Sequence, residues 1–501
     1  MKKYLIPFLF LLFFFSGIIT PVVLAGKIVY PWRAVPAFVQ SGESFYILYD
    51  NLVYSEIDSV TLTSPFFNVS LRIDSVNTGV FEYDTFTGMS VNNKIWVRVP
   101  GSAPEDLYDL NIFADGEITI SHRSVKVVKE FSPVHSFIHI SDLHVSRQWE
   151  GTSEDGYAKE LELFDSFIKV ANIIVPDFVV ATGDIIHHYT RIDADSTGWG
   201  GIKLYDMDQR PLVEEKYRNY YHGAKGFSGV YGLNAPVFSL PGNHDFYAIE
   251  RGDYHGMASQ WNRLCGKRVY GFSYAGTRVI AADDFLGDPV TDIPDSSPMS
   301  GLQGKVFENF FNDAGTGSLR IMAQHRPDRI DTTFLNKYKI NILLNGHRHT
   351  PFQEYVGATP TLSSRPGTVC RSGDILNWEE TLGFFRIFYV QSDSFTFTPP
   401  LRFCKNPTVD YRHLELNLTL DYKNPNDGTA SKNEAIIENL FPVDLPGCRV
   451  RFVMKKGEYS VTGGTIRQSV HSGKFTVVDV IADVGSMGNR KVRIFPVNLL
   501  I

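Results

Sequence analysis

Five short segments carry the side chains that could do chemistry. Ser141-Asp142-Leu143-His144, Thr182-Gly183-Asp184, Gly242-Asn243-His244-Asp245, a lone His325 and Gly346-His347-Arg348-His349 each follow an apolar run. Asp, His and Asn are ligands for hard or borderline divalent metals. Together Asp142, His144, Asp184, Asn243, His325, His347 and His349 outnumber the needs of one tetrahedral or octahedral ion, so the count points to two. Two ions about 3.5–4 Å apart, sharing a carboxylate and a bridging hydroxide, clamp the oxygens of an in-line displacement at phosphorus. Asp184 is the natural shared carboxylate. Taken singly, each of these residues would read as a cap, a turn former or a surface side chain. Their joint order carries the reading.

The elements that must position them are legible in the same stretches. Apolar runs at 137–140, 178–181, 237–240, 321–323 and 342–344 are predicted strands, and in an open α/β sheet a site forms beyond the carboxyl ends of its strands. Between the first two, Leu161, Phe164, Ile168, Ala171 and Val175 keep helical spacing until Pro176 stops it, which predicts a β-loop-α-β unit. Further strands are expected at 278–282 and 384–390. Gly183, Gly242 and Gly346 sit where the chain must turn tightly off a strand. Residues 187–233 form a long segment with a helix expected near 214–221. Starting just after Asp184, it is expected to wall or cover the site with Tyr205, Tyr217, Tyr220, Tyr221 and Tyr231, or to use them for packing. His139, inside an apolar strand, reads as a satisfied core histidine. Arg147, His222, His255, Arg326, Arg348 and Arg365 are substrate-contact candidates by loop position alone.

The series Asp-x-His, Gly-Asp, Gly-Asn-His-Asp, His and Gly-His-x-His resembles the calcineurin-like metallophosphoesterase superfamily in content and order, over about half the chain. The resemblance implies a four-layer α/β (α+β) sandwich of mixed β-sheets flanked by helices. It gives Asp142, His144, Asp184 and His349 to a first metal and Asp184, Asn243, His325 and His347 to a second. His244 then stands near the leaving-group oxygen as proton donor or charge stabiliser, and Asp245 orients its loop. The ions are divalent, drawn from Mn, Fe, Zn, Co or Ni. In the purple acid phosphatase branch a tyrosine follows the Gly-Asp aspartate by three residues. Here that position is His187, so a tyrosinate-coloured ferric site is not expected.

The rest of the chain sets the context. At 501 residues it exceeds a single core. Residues 1–25 read as a signal peptide: Lys2 and Lys3, an apolar run at 4–19, then Val23-Leu24-Ala25-Gly26. Short alternating runs at 26–131 predict an N-terminal β-sandwich (Ig-like) domain, the phosphoesterase domain takes 132–400, and 401–501 is β-rich, with strands expected at 414–418, 449–454 and 475–481. A secreted or cell-surface location follows, with membrane contact only through the signal segment if it is uncleaved. A net charge of −7 without a basic block excludes a nucleic-acid backbone as partner, leaving a small phosphoester substrate. Cys265, Cys370, Cys404 and Cys448 are scattered, and spacing does not separate disulfides from buried thiols. The function expected is an exported dimetal phosphomonoesterase or phosphodiesterase. The competing class is a non-catalytic surface binding or adhesion protein with a degenerate phosphoesterase domain.

Overall fold

Unbroken apolar runs and strict alternation dictate different strands, and both kinds are ordered in a computed structural model that describes residues 26–51, 56–86, 88–145, 158–186, 191–192, 202–203, 210–224, 226–246, 253–287, 301–312, 318–329, 332–349, 352–363, 383–405 and 414–497. The signal segment, Arg147, His187, Tyr205, Arg365 and Cys370 lie outside these residues. The unbroken runs pair in the middle of the chain, where two mixed sheets form. The first has the order Val237–Leu240, Phe178–Thr182, Val134–Ile140, Phe384–Gln391, Ser394–Phe397, its first three strands parallel and Phe384–Gln391 antiparallel to Val134–Ile140. In the second, Thr277–Ala281, Leu319–Ala323, Ile342–Asn345 and Thr359–Ser363 run parallel, with Tyr270–Tyr274 and Gln353–Val356 antiparallel at the edges. Parallel strands are covered on both faces, which is why Phe178–Thr182 is buried at every position.

Aromatic stacking fixes the first sheet and joins it to the second. The Phe137 ring lies between Phe178 and Phe388, at 5.0 and 4.5 Å and within 5° of parallel. All three rings are fully buried, and each contributes up to about 3 kcal/mol by removal from water. Phe238 of the first sheet stacks on Phe272 of the second at 3.6 Å. The helix Ala158–Ile174 lies against this core, with Phe167 meeting Phe385 and Phe403. It ends where Pro176 forbids continuation, and Val175 turns the chain out at φ +47° while its N–H still closes on Ala171 O.

The alternating runs make the terminal sheets. Eight strands from Lys27–Tyr30 to Glu117–Val128 form one sheet, antiparallel except where Ala37–Gln40 lies parallel to Glu117–Val128. Val125 and Val127 face its own core, whereas Phe38 packs outward on Phe178, Phe238, Phe272 and Tyr274. At the other end, Leu418–Tyr422, Asn433–Asn439, Gly488–Pro496 and Tyr459–Thr462 form a sheet of four strands, and Leu445–Lys455, Phe475–Val484 and Thr465–Ser472 one of three. The alternation at 414–418 proves mostly non-strand: only Leu418 enters a ladder, and Leu416 makes a single bridge to Cys404. Cys265, Cys404 and Cys448 are buried free thiols. Among the described residues no helix is long and apolar enough to cross a membrane.

Candidate metal centre

Every ligand loop leaves the carboxyl end of a parallel strand, three from the first sheet and two from the second. The backbone there is forced. Asp142, His144, Asp184, His347 and His349 all have left-handed φ, between +48° and +70°, a region that non-glycine residues rarely occupy. Backbone bonds hold them in it: Asp142 N–H donates to Gly183 O at 3.1 Å, His144 N–H to Asp184 O at 2.8 Å, and Gly346 N–H to His325 O at 2.9 Å. Glycine is required at the crossings. A Cβ on Gly183 would stand 2.7 Å from Gly242 N. One on Gly346 would overlap Ser141 Oγ and Asp142 Oδ2.

The side chains converge in two groups that share Asp184. Ligand atoms of Asp142, His144, Asp184 and His349 lie within 4.8 Å of one another, as do those of Asp184, His325 and His347. His349 Nε2 is 3.2 Å from Asp142 Oδ1, and His144 Nε2 is 3.6 Å from Asp184 Oδ2. His325 Nδ1 stands 2.7 Å from the Thr182 carbonyl, which can only accept, so Nδ1 carries the hydrogen and Nε2 faces Asp184 Oδ2 at 3.0 Å. Asn243 Oδ1 is buried without a hydrogen-bonding partner among the described residues, and the buried Asp184 Oδ2 and His325 Nε2 meet each other as an ion pair. Lone pairs left bare in a buried cluster are what a cation would occupy. The donor set, carboxylates with imidazoles and one amide oxygen, fits divalent ions.

Electrostatics agree with that fit. Burial alone would raise Asp142, but His349 and His325 outweigh it and hold the carboxyl down at about 2. Burial opposes a charge on His325, yet Asp184, Asp142 and Asp284 raise it to about 10. The carboxylates thus hold a proton that a metal ion would displace. His347 is lowered to about 4 by burial and then by His325, leaving its ring neutral and able to ligate.

Both residues expected to act beside the metals are at this site. His244 is buried, its N–H donates to Asp184 Oδ1 at 2.8 Å, and its Nε2 lies 4.0 Å from Asp184 Oδ2. Asp245 braces rather than reaches. It accepts from Gly242 N–H at 2.8 Å, from Ile185 and Ile186 N–H, and from the Tyr217 hydroxyl at 2.8 Å. Burial, then Asp184, raises its carboxyl to about 7.

Other expectations divide. Of the two alternatives for the tyrosines of 187–233, Tyr217, Tyr220 and Tyr221, on the helix Arg210–His222, take packing: each is 1% exposed and lies in the core. His139 is a core histidine, bonded to Thr182 Oγ1 and lowered to about 3 by burial. Arg348 turns toward Glu354 and stacks over Phe352. His222 packs on Tyr231, and His255 is exposed. One bond and one residue were not anticipated. Tyr217 was named for its segment, but nothing in the sequence signalled its bond to Asp245. Asp284 accepts from Arg326 N–H beside His325, and Asp283-Asp284 follows an apolar strand just as the ligand motifs do.

Comparison with known proteins gives the following. A family model described as calcineurin-like phosphoesterase matches residues 135–351. No curated protein matches the chain. Among solved structures, one similar chain is GAP50, the anchor in the inner membrane complex of Plasmodium, at 11% identity and TM-score 0.31, covering 53% of this chain and 83% of that one. A putative 5'-nucleotidase from Staphylococcus aureus is similar at 13% identity and TM-score 0.27, over 53% of each chain. A predicted phosphoesterase from Streptococcus pneumoniae shares 12% identity at TM-score 0.20, over 53% of this chain and 87% of that one.

Proposed function

From the premise that residues 135–351 belong to the calcineurin-like phosphoesterase family, we propose that this protein is a dimetal hydrolase of small phosphate esters, mono- or diester, acting outside the cytoplasm. The observation that carries the reading is the convergence of Asp142, His144, Asp184, His325, His347 and His349 in two buried groups that share Asp184, with the Asn243 amide oxygen buried and without a partner. Asp142, His144, Asp184 and His349 would hold one ion, and Asp184, Asn243, His325 and His347 the second. Bound there, divalent ions supply Lewis acidity toward phosphoryl oxygens and water. The chain does the rest. The Thr182 carbonyl keeps the His325 proton on Nδ1, Asp245 holds the loops of Asp184 and Asn243 together, and His244 gives a proton to the departing oxygen. The basic pair and apolar run before Gly26 support export. A four-layer sandwich with β-sandwich domains at both ends belongs to the same reading, supported by the aromatic join between the two central sheets.

Metal analysis with turnover of nitrophenyl phosphate and bis(nitrophenyl) phosphate tests it. The expected result is about two metal ions per chain and hydrolysis of at least one ester; a metal-free, inert protein would end the reading. His244→Ala should keep both ions, and its loss should reach about a hundredfold or more for alkyl leaving groups while staying small for nitrophenol. Equal losses for both would remove the proton-donor role.

A further inference from the structure

Far from the metal cluster, the three parts of the chain meet around a cavity of about 320 Å³. His135, at the start of the strand Val134–Ile140, lines it, whereas Asp142 follows the other end of that strand, roughly 20 Å away at the rise of extended chain. Lys126 enters from the N-terminal sheet, Tyr389 from the first central sheet and Arg449 from the C-terminal strand Leu445–Lys455. Lys126 is only 5% exposed and Arg449 only 7%. Among the described residues neither side chain makes a hydrogen bond or reaches a carboxylate within ion-pair distance. A buried cation without a contact partner is a rare and costly arrangement.

The carboxylates around the cavity are already engaged. Asp479 takes Arg451 on both oxygens, at 2.7 and 2.8 Å, and Gln468 Nε2 at 2.7 Å. Glu105 takes Arg467 at 3.1 Å, and Asp177 takes Ser136 N–H and the Tyr274 hydroxyl. Among the lining residues Lys126, Arg449 and Arg467 match Glu105, Asp177 and Asp479 in number. What Lys126 and Arg449 lack is therefore an acceptor at contact distance, not a distant countercharge. The Tyr389 hydroxyl is a further buried donor without a partner. An ammonium, a planar guanidinium fork and a phenol around one space match the oxygens of a carboxylate or phosphate.

We propose that this junction is a binding site for a small oxyanion, carboxylate or phosphate, held by Lys126 and Arg449 with the Tyr389 hydroxyl. Its ligands come from the N-terminal, central and C-terminal sheets, so occupancy ties the three together and stabilises their assembly by mass action. The proposal does not rest on the hydrolase reading.

Calorimetric titration of the intact metal-containing protein with inorganic phosphate, and separately with succinate, tests it at an ionic strength fixed with chloride. The Lys126→Met/Arg449→Met double variant should bind one fewer equivalent of the active anion than the wild type, and Arg449→Lys should retain it. The anion that shows the difference identifies the oxyanion class. A metal centre that also binds phosphate adds equally to both proteins, and an inert centre leaves one site in the wild type and none in the double variant. Failure of the hydrolase reading is thus distinguishable. Equal site numbers in wild type and double variant, or no saturable binding of either anion by the wild type, would overturn the proposal. Should the double variant not fold, Tyr389→Phe decides: the rise in unfolding midpoint in saturating phosphate or succinate relative to chloride must be larger for the wild type than for Tyr389→Phe, since the metal centre contributes equally to both, and an equal rise sinks the site.

Discussion

Asp184→Asn should yield a folded protein that retains neither metal and hydrolyses phosphoesters at least about a thousandfold more slowly. Asp184 is the one residue common to both ligand groups. Its Oδ1 accepts the His244 N–H at 2.8 Å, and an amide oxygen can keep that bond. Its Oδ2 is 3.0 Å from His325 Nε2 and 3.6 Å from His144 Nε2. There Asn would place an NH₂ group, which donates to the imidazoles and cannot ligate a metal. The substitution conserves volume but removes one partner of the buried Asp184–His325 pair, so it should lower the unfolding midpoint of the metal-free protein. Metal analysis and turnover on the same preparation check the result. An Asp184→Asn protein with two ions and unchanged rate would contradict the sharing of Asp184.

The ligands were legible because their chemistry is local: Asp-x-His or Gly-His-x-His sits within a few residues of the strand that presents it. The strands were legible because burial on both faces writes an unbroken run such as Phe178–Thr182. What the sequence concealed depends on pairings between distant residues. Tyr217 bonds Asp245 only because the helix Arg210–His222 folds back onto the loop of Asn243. The same tyrosines could have lined a wall or filled a core, and composition does not separate the two. The junction cavity joins Lys126 to Arg449 across more than half the chain, and nothing near either residue announces it. At 414–418 alternation misled because period-two spacing says nothing of whether a partner strand is present. The left-handed backbone at the ligands is likewise a tertiary effect: His tolerates φ near +50° better than most residues but does not prefer it, and at His144 and His349 the crossing loops impose it.

Gly242→Ala should damage the metal centre severely, although Ala differs from Gly by one methyl group. The backbone angle at Gly242 is not the reason, since its φ lies outside the left-handed range. Space is. A Cβ there would overlap Asp184 Oδ1 and the Asp184 backbone nitrogen and would come within 2.9 Å of Asp184 Cγ. No flexible side-chain end can yield, because Asp184 is itself pinned by the His244 N–H and its backbone turns at φ +49°. The two loops must separate, and with them go Asp184, common to both metals, and Asn243. Overpacking of this kind costs about 1–3 kcal/mol of stability, and a displacement near 1 Å at a reacting centre costs about a hundredfold in rate. The expected result is a folded protein with a lowered unfolding midpoint, reduced metal content and turnover down by about a hundredfold or more. Gly101→Ala is the matched control: nothing lies within 4 Å of its added Cβ and its φ is not left-handed, so stability, metal content and rate should match the wild type. If Gly242→Ala behaves like Gly101→Ala, the close approach of the Asp184 and Asn243 loops is not what holds the metal centre in place.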